Sequence, residues 1–134
     1  MGSLLVKAIL DTHAAIWATE DDPRLGVAAR ALLSSLRAGE AGLPDICLLE
    51  ISMLEKKGRI SLKIALPEYL RSLSRTFRVL PISAQIAAWA MELDLPHGDP
   101  FDRIIAATAI EAGRPLVTRD RHLRNLKALS TIWD

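Results

Sequence analysis

The chain has 134 residues, a length that suits one domain around one core. Half of its residues are hydrophobic (50%) and a quarter are charged (25%), which excludes a disordered or low-complexity chain. Lys+Arg number 17 against 16 Asp+Glu, a net charge of +1, so any anionic partner has to be held by a local patch rather than by overall charge.

Leu4 to Leu10 is a short apolar run broken only by Lys7. It predicts a buried strand, and Asp11 follows it directly. Thr12 to Glu20 has helical spacing with Ile16 and Trp17 toward the core, and Asp21-Asp22-Pro23 predicts a turn. Val27 to Arg37 predicts an amphipathic helix with Ala28, Ala31, Leu32 and Leu36 on its apolar side, ended by Gly39 and Gly42. An extended piece around Leu43 leads into a helix from Ile46 to Lys57. Gly58 caps it, and Lys56 and Lys57 lie in the last turn, where the helix dipole favours cations. Pro67 fits the first turn of a helix running to Thr76, and Phe77 to Ile82 predicts a strand. Ser83 caps a helix that ends near Leu95. Asp99 opens another that runs to Ala112, with Gly113 as its cap. Pro115 to Thr118 predicts a short strand, a basic turn or short helix follows, and Leu129 to Trp133 predicts a last strand. Residues 1–3 receive no structural role. Strands alternating with helices predict an α/β fold with a mainly parallel sheet, in a single domain over residues 1–134.

In open α/β sheets ligands bind beyond the carboxyl ends of the strands. Asp11 follows the first predicted strand and Asp120 follows a later one, in Leu116-Val117-Thr118-Arg119-Asp120. Asp102 lies in the first turn of the helix before that strand. Glu50 lies within an apolar helical stretch, Leu48-Leu49-Glu50-Ile51. A charge in such a setting is costly to bury unless it is paired or metal-bound, although its helix could also turn it to solvent. The other acids have structural readings as well. In Asp99-Pro100-Phe101-Asp102, Asp99 is a helix N-cap and Asp102 a first-turn acid. Asp11 could cap the helix at Thr12, and Asp120 could serve a turn. Gathered together, the acids pose an electrostatic problem: two carboxylates about 5 Å apart repel by roughly 3 kcal/mol at an effective dielectric of ~20. Such a group needs a proton or a cation, and oxygen-only ligands suit Mg²⁺ or Mn²⁺, which activate water and clamp a phosphoryl oxygen.

These residues resemble the PIN domain and, within it, the VapC toxins of toxin–antitoxin pairs. The resemblance is carried by Leu10-Asp11-Thr12-His13-Ala14, by Leu49-Glu50-Ile51 with Lys56 and Gly58-Arg59, by the stretch from His97 to Ala107, and by Leu116 to Asp120. It implies a three-layer α/β/α sandwich and a metal-dependent endoribonuclease acting on single-stranded or looped RNA. It implies that Asp11, Glu50, Asp102 and Asp120 carry one or two Mg²⁺ or Mn²⁺ ions, with Asp99 nearby as a further acid and Thr118 lining the site. A homodimer and an antitoxin that covers the site are the partners it implies. The chain departs from the pattern before Glu50, where similar toxins often carry small hydroxyl residues and this chain has Pro44, Asp45 and Cys47. Cys47 is read as replacing a serine in packing, and Asp45 as a cap for the helix that holds Glu50.

Arg114, Arg119, Arg121, His122, Arg124 and Lys127 form a basic run beside Asp120. It is either a solvated face or a phosphate contact, and Arg119, Arg121 and Arg124 are the substrate-binding candidates. Arg103 is a candidate partner for a site carboxylate. His13, His97 and His122 lack metal-ligand spacing, and Trp17, Trp89 and Trp133 are read as core or dimer contacts. The single cysteine excludes an intramolecular disulfide. No run is apolar enough to cross a bilayer and no secretion signal is evident, so the cytoplasm is the expected location. A phosphoryl-transfer protein of receiver or haloacid-phosphatase type also places an Asp after its first strand, but Asp11-Thr12-His13 lacks the second acid such proteins use. A catalytically silent RNA- or protein-binding module of the same fold is the remaining alternative.

Overall fold

The computed structural model describes residues 5–96 and 98–134. Residues 1–3, Leu4 of the expected first strand and His97 lie outside the described residues. In chain order the elements are β1 (Ala8–Leu10), α1 (Thr12–Thr19), α2 (Val27–Ser35), β2 (Ala41–Pro44), α3 (Ile46–Lys56), α4 (Leu66–Thr76), β3 (Arg78–Leu80), α5 (Ala84–Glu92), α6 (Pro100–Ala112), β4 (Leu116–Val117), α7 (Arg121–Arg124) and β5 (Thr131–Ile132).

The five strands form one parallel sheet in the order β3-β2-β1-β4-β5. Ile9 stands opposite Gly42 on one side and Leu116 on the other. Every residue of β1, β2 and β4 is buried, as a parallel sheet covered on both faces requires. The result is the expected three-layer α/β/α sandwich. The chain runs outward from β1 to β3 and then returns to β4 on the other side of β1. Strand order therefore reverses between β1 and β4, and a crevice opens beyond their carboxyl ends.

Local chemistry sets the element boundaries. The Ser83 hydroxyl accepts from the Ile86 amide at 3.1 Å and starts α5. The Asp99 carboxylate accepts from the Phe101 amide at 2.9 Å, and Pro100 opens α6. Gly58 and Gly113 adopt φ of 70° and 65° and end α3 and α6, so that Arg59 and Arg114 return hydrogen bonds to the carbonyls of Leu54 and Ala109.

Two expectations are corrected. On α2 the buried residue is Ala29, with Leu32, Leu33 and Leu36 packed on the core, while Ala31 is exposed. The helix face is set by the end of β5, because the Ala29 amide bonds the Trp133 carbonyl at 3.1 Å. Asp45 precedes α3 but makes no capping bond to it; its Oδ2 accepts from the Ile82 amide at 3.2 Å, across from the end of β3. Cys47 is fully buried and burial pushes its thiol up, which agrees with a packing role.

The junction between α2 and β5 yields a stability test. A Cβ on Gly26 would stand 2.1 Å from the Trp133 carbonyl oxygen, whereas one on Gly113 would meet nothing within 4 Å. Gly26→Ala should therefore cost about 1–3 kcal/mol through backbone displacement. Gly113→Ala should cost about 1 kcal/mol through the left-handed φ alone. Urea unfolding measures both, and a smaller loss at Gly26 than at Gly113 would contradict this packing.

Candidate active site

One cleft of about 690 Å³ opens over the carboxyl ends of β1 and β4, and Asp11, Glu50, Asp102 and Asp120 all line it. Asp11 arrives directly from β1. Its Oδ1 accepts from the Ala14 amide at 2.8 Å and caps α1. Asp120 follows β4, and its Oδ1 accepts from the Leu123 amide at 3.0 Å to cap α7. Between them stands Thr118, wholly buried. Its hydroxyl accepts from the Asp120 amide at 3.1 Å and is hydrogen-bonded to the Asp11 carboxylate, so one side chain ties the two strand ends together. Glu50 comes from α3 and accepts a hydrogen bond from the buried Thr12 hydroxyl at the start of α1. Asp102 comes from the first turn of α6.

Burial and mutual repulsion act on these acids. Burial pushes the Asp11 carboxyl up to about 6, with the Asp120 charge adding to the rise and the Thr118 and Ala14 hydrogen bonds opposing it. Burial likewise raises Glu50, helped by the charges of Asp99 and Asp11 and opposed by the Thr12 hydrogen bond. His13, at the cleft edge, is lowered by burial and by Arg119 and Arg24. Among the described residues no three acidic, histidine or cysteine side chains stand close enough together to hold an ion as they are placed. The donor set nonetheless suits a hard divalent cation: carboxylate oxygens only, lining one cleft, two of them destabilised in their charged form by surroundings that a cation would reverse.

The structure sorts the other candidates. Asp99 caps α6, contributes its charge to the surroundings of Glu50 and does not line the cleft. Thr118 holds the two aspartates from below and presents no surface to a substrate. Of the basic run, Arg119 lines the cleft, whereas Arg121 is exposed on α7 outside it and Arg124 pairs with Asp134 at 2.9 Å. Asp120, the N-cap of α7, lines the cleft, but no residue of α7 itself does. Arg103 donates to the carbonyls of Ala90, Leu93 and Leu95 rather than to a site carboxylate, and so clamps the end of α5 to α6. Trp17 and Trp133 are buried as expected, with ring centres 5.9 Å apart, yet both also reach the cleft wall. Trp89 is half-buried beside Ile86 and Ala90.

Sequence reasoning missed the cationic members of the cleft, Arg24, Arg59 and Lys63. They come from loops after α1 and α3, where no periodicity places a side chain. The only local signal was Asp22, two residues before Arg24, since an acid and an arginine at that spacing in a turn pair readily.

Comparison with known proteins agrees with this geometry. The PIN domain family matches residues 8–129. The chain is 37% identical over 122 residues to Ribonuclease VapC22 of Mycobacterium tuberculosis, with 90% of this chain and 92% of that protein covered. FitAcB from Neisseria gonorrhoeae superposes with a TM-score of 0.67 at 22% identity, covering 93% of this chain and 96% of the other. DNA-bound VapBC from Salmonella typhimurium superposes with a TM-score of 0.66 at 24% identity, covering 95% and 97%. The fold, the cleft at the strand-order reversal and the match across most of its length place this chain in the PIN domain family.

Proposed function

We propose that the protein is a Mg²⁺- or Mn²⁺-dependent endoribonuclease, the toxin of a type II toxin–antitoxin pair, that hydrolyses RNA phosphodiester bonds at the acidic cleft. The observation that carries this reading is the delivery of four carboxylates to one opening by four separate elements. The ribonuclease name of the Mycobacterium tuberculosis relative and the toxin–antitoxin complexes among the similar structures support it. Asp11, Glu50, Asp102 and Asp120 are the proposed metal ligands, with Asp99 adding charge behind them. A divalent cation bound there would lower the pKa of a water and offset phosphate charge. The chain's own residues do the rest. Thr118 bonds the Asp120 amide and lowers the Asp11 carboxyl, Thr12 bonds Glu50, and Asp102 lies on the first turn of α6. An antitoxin and a second copy of the chain are the proposed partners. Leu49 and Met53, one turn apart on α3, and Met91 on α5 stand exposed and offer apolar area for such contacts. No helix among the described residues is long and apolar enough to cross a membrane, and the cytoplasm is the proposed location.

The metal reading makes a prediction about stability. Because the folded chain raises the Asp11 carboxyl from its ordinary value to about 6, the folded state holds that proton longer than the unfolded one. In chelator, stability should therefore fall as pH rises from about 4 to about 6, by at most ~3 kcal/mol from Asp11. The raised carboxyl of Glu50 acts in the same direction. Asp11→Asn should flatten this slope, and Mn²⁺ should raise the melting temperature of the unmodified chain but much less that of the variant. Unshifted and identical melting curves for the two proteins in millimolar metal would refute the metal site.

Catalysis is tested at the start of α6. Asp99→Asn keeps the cap on Phe101, since asparagine caps about as well as aspartate, and should retain stability and part of the activity. Asp102→Asn costs the helix only a few tenths of a kcal/mol, yet should lower the cleavage rate of cellular RNA by about a hundredfold or more. Near-normal activity in Asp102→Asn would remove it from the ligand set. Expression of the unmodified chain should slow growth of a bacterial host. Equal toxicity of Glu50→Gln at matched protein levels would count against catalysis.

A further inference from the structure

Trp17 lines the same cleft as the carboxylates, and its indole carries two guanidinium groups. Arg24 Cζ lies 4.8 Å from the ring centre and Arg119 Cζ 4.6 Å from it. The two arginines come from unrelated segments, the loop after α1 and the turn between β4 and α7. The ring beneath them cannot swing away, because Trp17 is 5% exposed and is flanked by Trp133 and by His13, whose ring centre is 5.4 Å distant. Arg24 is fixed a second time by Asp22, which accepts from Nε at 3.0 Å and from Nη2 at 2.8 Å. That pairing occupies one edge of the guanidinium. The end edge, Nη1 with the second Nη2 hydrogen, remains, and the side chain is 62% exposed. Arg119 forms no ion pair among the described residues.

Two like charges drawn to one indole repel each other, and an anion within reach of both would offset that repulsion. Arginine is the residue suited to this task, since a planar fork both stacks on an indole and binds a phosphate through two parallel hydrogen bonds. An RNA strand crossing the cleft brings several phosphates, and the acidic wall repels those that do not react. Resting on the ribonuclease reading above, we propose that Arg24 and Arg119, laid on Trp17, form a phosphate-binding subsite. It grips a backbone phosphate next to the one being cleaved and so sets the register of the strand over the carboxylates.

The subsite is tested by binding without turnover. The full chain carrying Asp102→Asn is titrated against a fluorescent uridine dodecamer at fixed magnesium, from roughly 0.05 to 0.2 M KCl, and the slope of log affinity against log salt is read. Arg24→Gln and Arg119→Gln should each weaken binding about tenfold at low salt and reduce the slope by about 0.7, the value for one lost phosphate contact on a single strand. Arg24→Lys should keep the slope and lose part of the affinity, because it keeps the charge and loses the stacked fork. Lys7→Gln, which breaks a pair with Glu40 outside the cleft, should change neither. With Asp102 intact, Arg24→Gln should lower kcat/KM through KM. A purely turn-locking role for Arg24 would leave the salt slope unmoved. Unchanged slopes in both Gln variants, with melting temperatures near the parent, would overturn the subsite and leave the ribonuclease reading standing. Failure of the Asp102→Asn chain itself to bind the RNA would overturn both.

Discussion

The parallel pairing of β1 with β4 is the contact on which the site depends. Ile9 and Leu10 face Leu116 and Val117 across this pair, all fully buried. Neither strand has room for a charge within it, so each acid stands beyond the end of its strand: Asp11 at once, Asp120 after Thr118 and Arg119. Thr118 then joins the two ends through a hydroxyl that has both of its roles filled. Replacing it with valine would keep the volume and leave the Asp120 amide and the Asp11 carboxylate without that partner.

The acids are tolerated because most of them do structural work at the same time. Asp11, Asp99 and Asp120 each cap a helix through one oxygen. The amides and the positive end of the helix dipole offset part of the cost of the charge. Capping engages Oδ1 and leaves the second oxygen of each carboxylate to other partners. Glu50 has no such help from a helix start. It lies inside α3 and takes a hydrogen bond from Thr12, which is itself the first residue of α1. The helix that Asp11 caps thus also aims Glu50, and a fault in the first turn of α1 would reach two acids together.

Much of this was legible in the residues. The apolar runs ending in aspartate marked β1 and β4, and Ser83, Asp99, Gly58 and Gly113 marked helix ends through local chemistry that tertiary contacts did not override. The four acids could be named for the same reason, since their placement follows from strand ends and helix starts. What could not be read was anything fixed by the meeting of distant segments. Asp45 looked like a cap because capping is a local act, but the Ile82 amide at the end of β3 claimed its carboxylate. Arg121 and Arg124 seemed to border the site because they are close to Asp120 in the chain, but neither lines the cleft and Arg124 pairs with Asp134. Arg24, far in sequence from Glu50, Asp102 and Asp120, was brought into the cleft by the path of the loop after α1.

The central position of β1 also sets the order in which the acidic cleft can be assembled during synthesis. β1 is made well before its neighbour β4, and Thr118 and Asp120 follow β4. A nascent chain can pair β1 with β2 and β3 while residues 115–120 are still in the ribosome, yet in that state Asp11 has neither its hydroxyl partner nor its fellow acid. Long-range parallel pairing is slow to form. The cleft is thus completed only after β4, and a chain cut short before β4 has three of the five strands but no assembled acidic site.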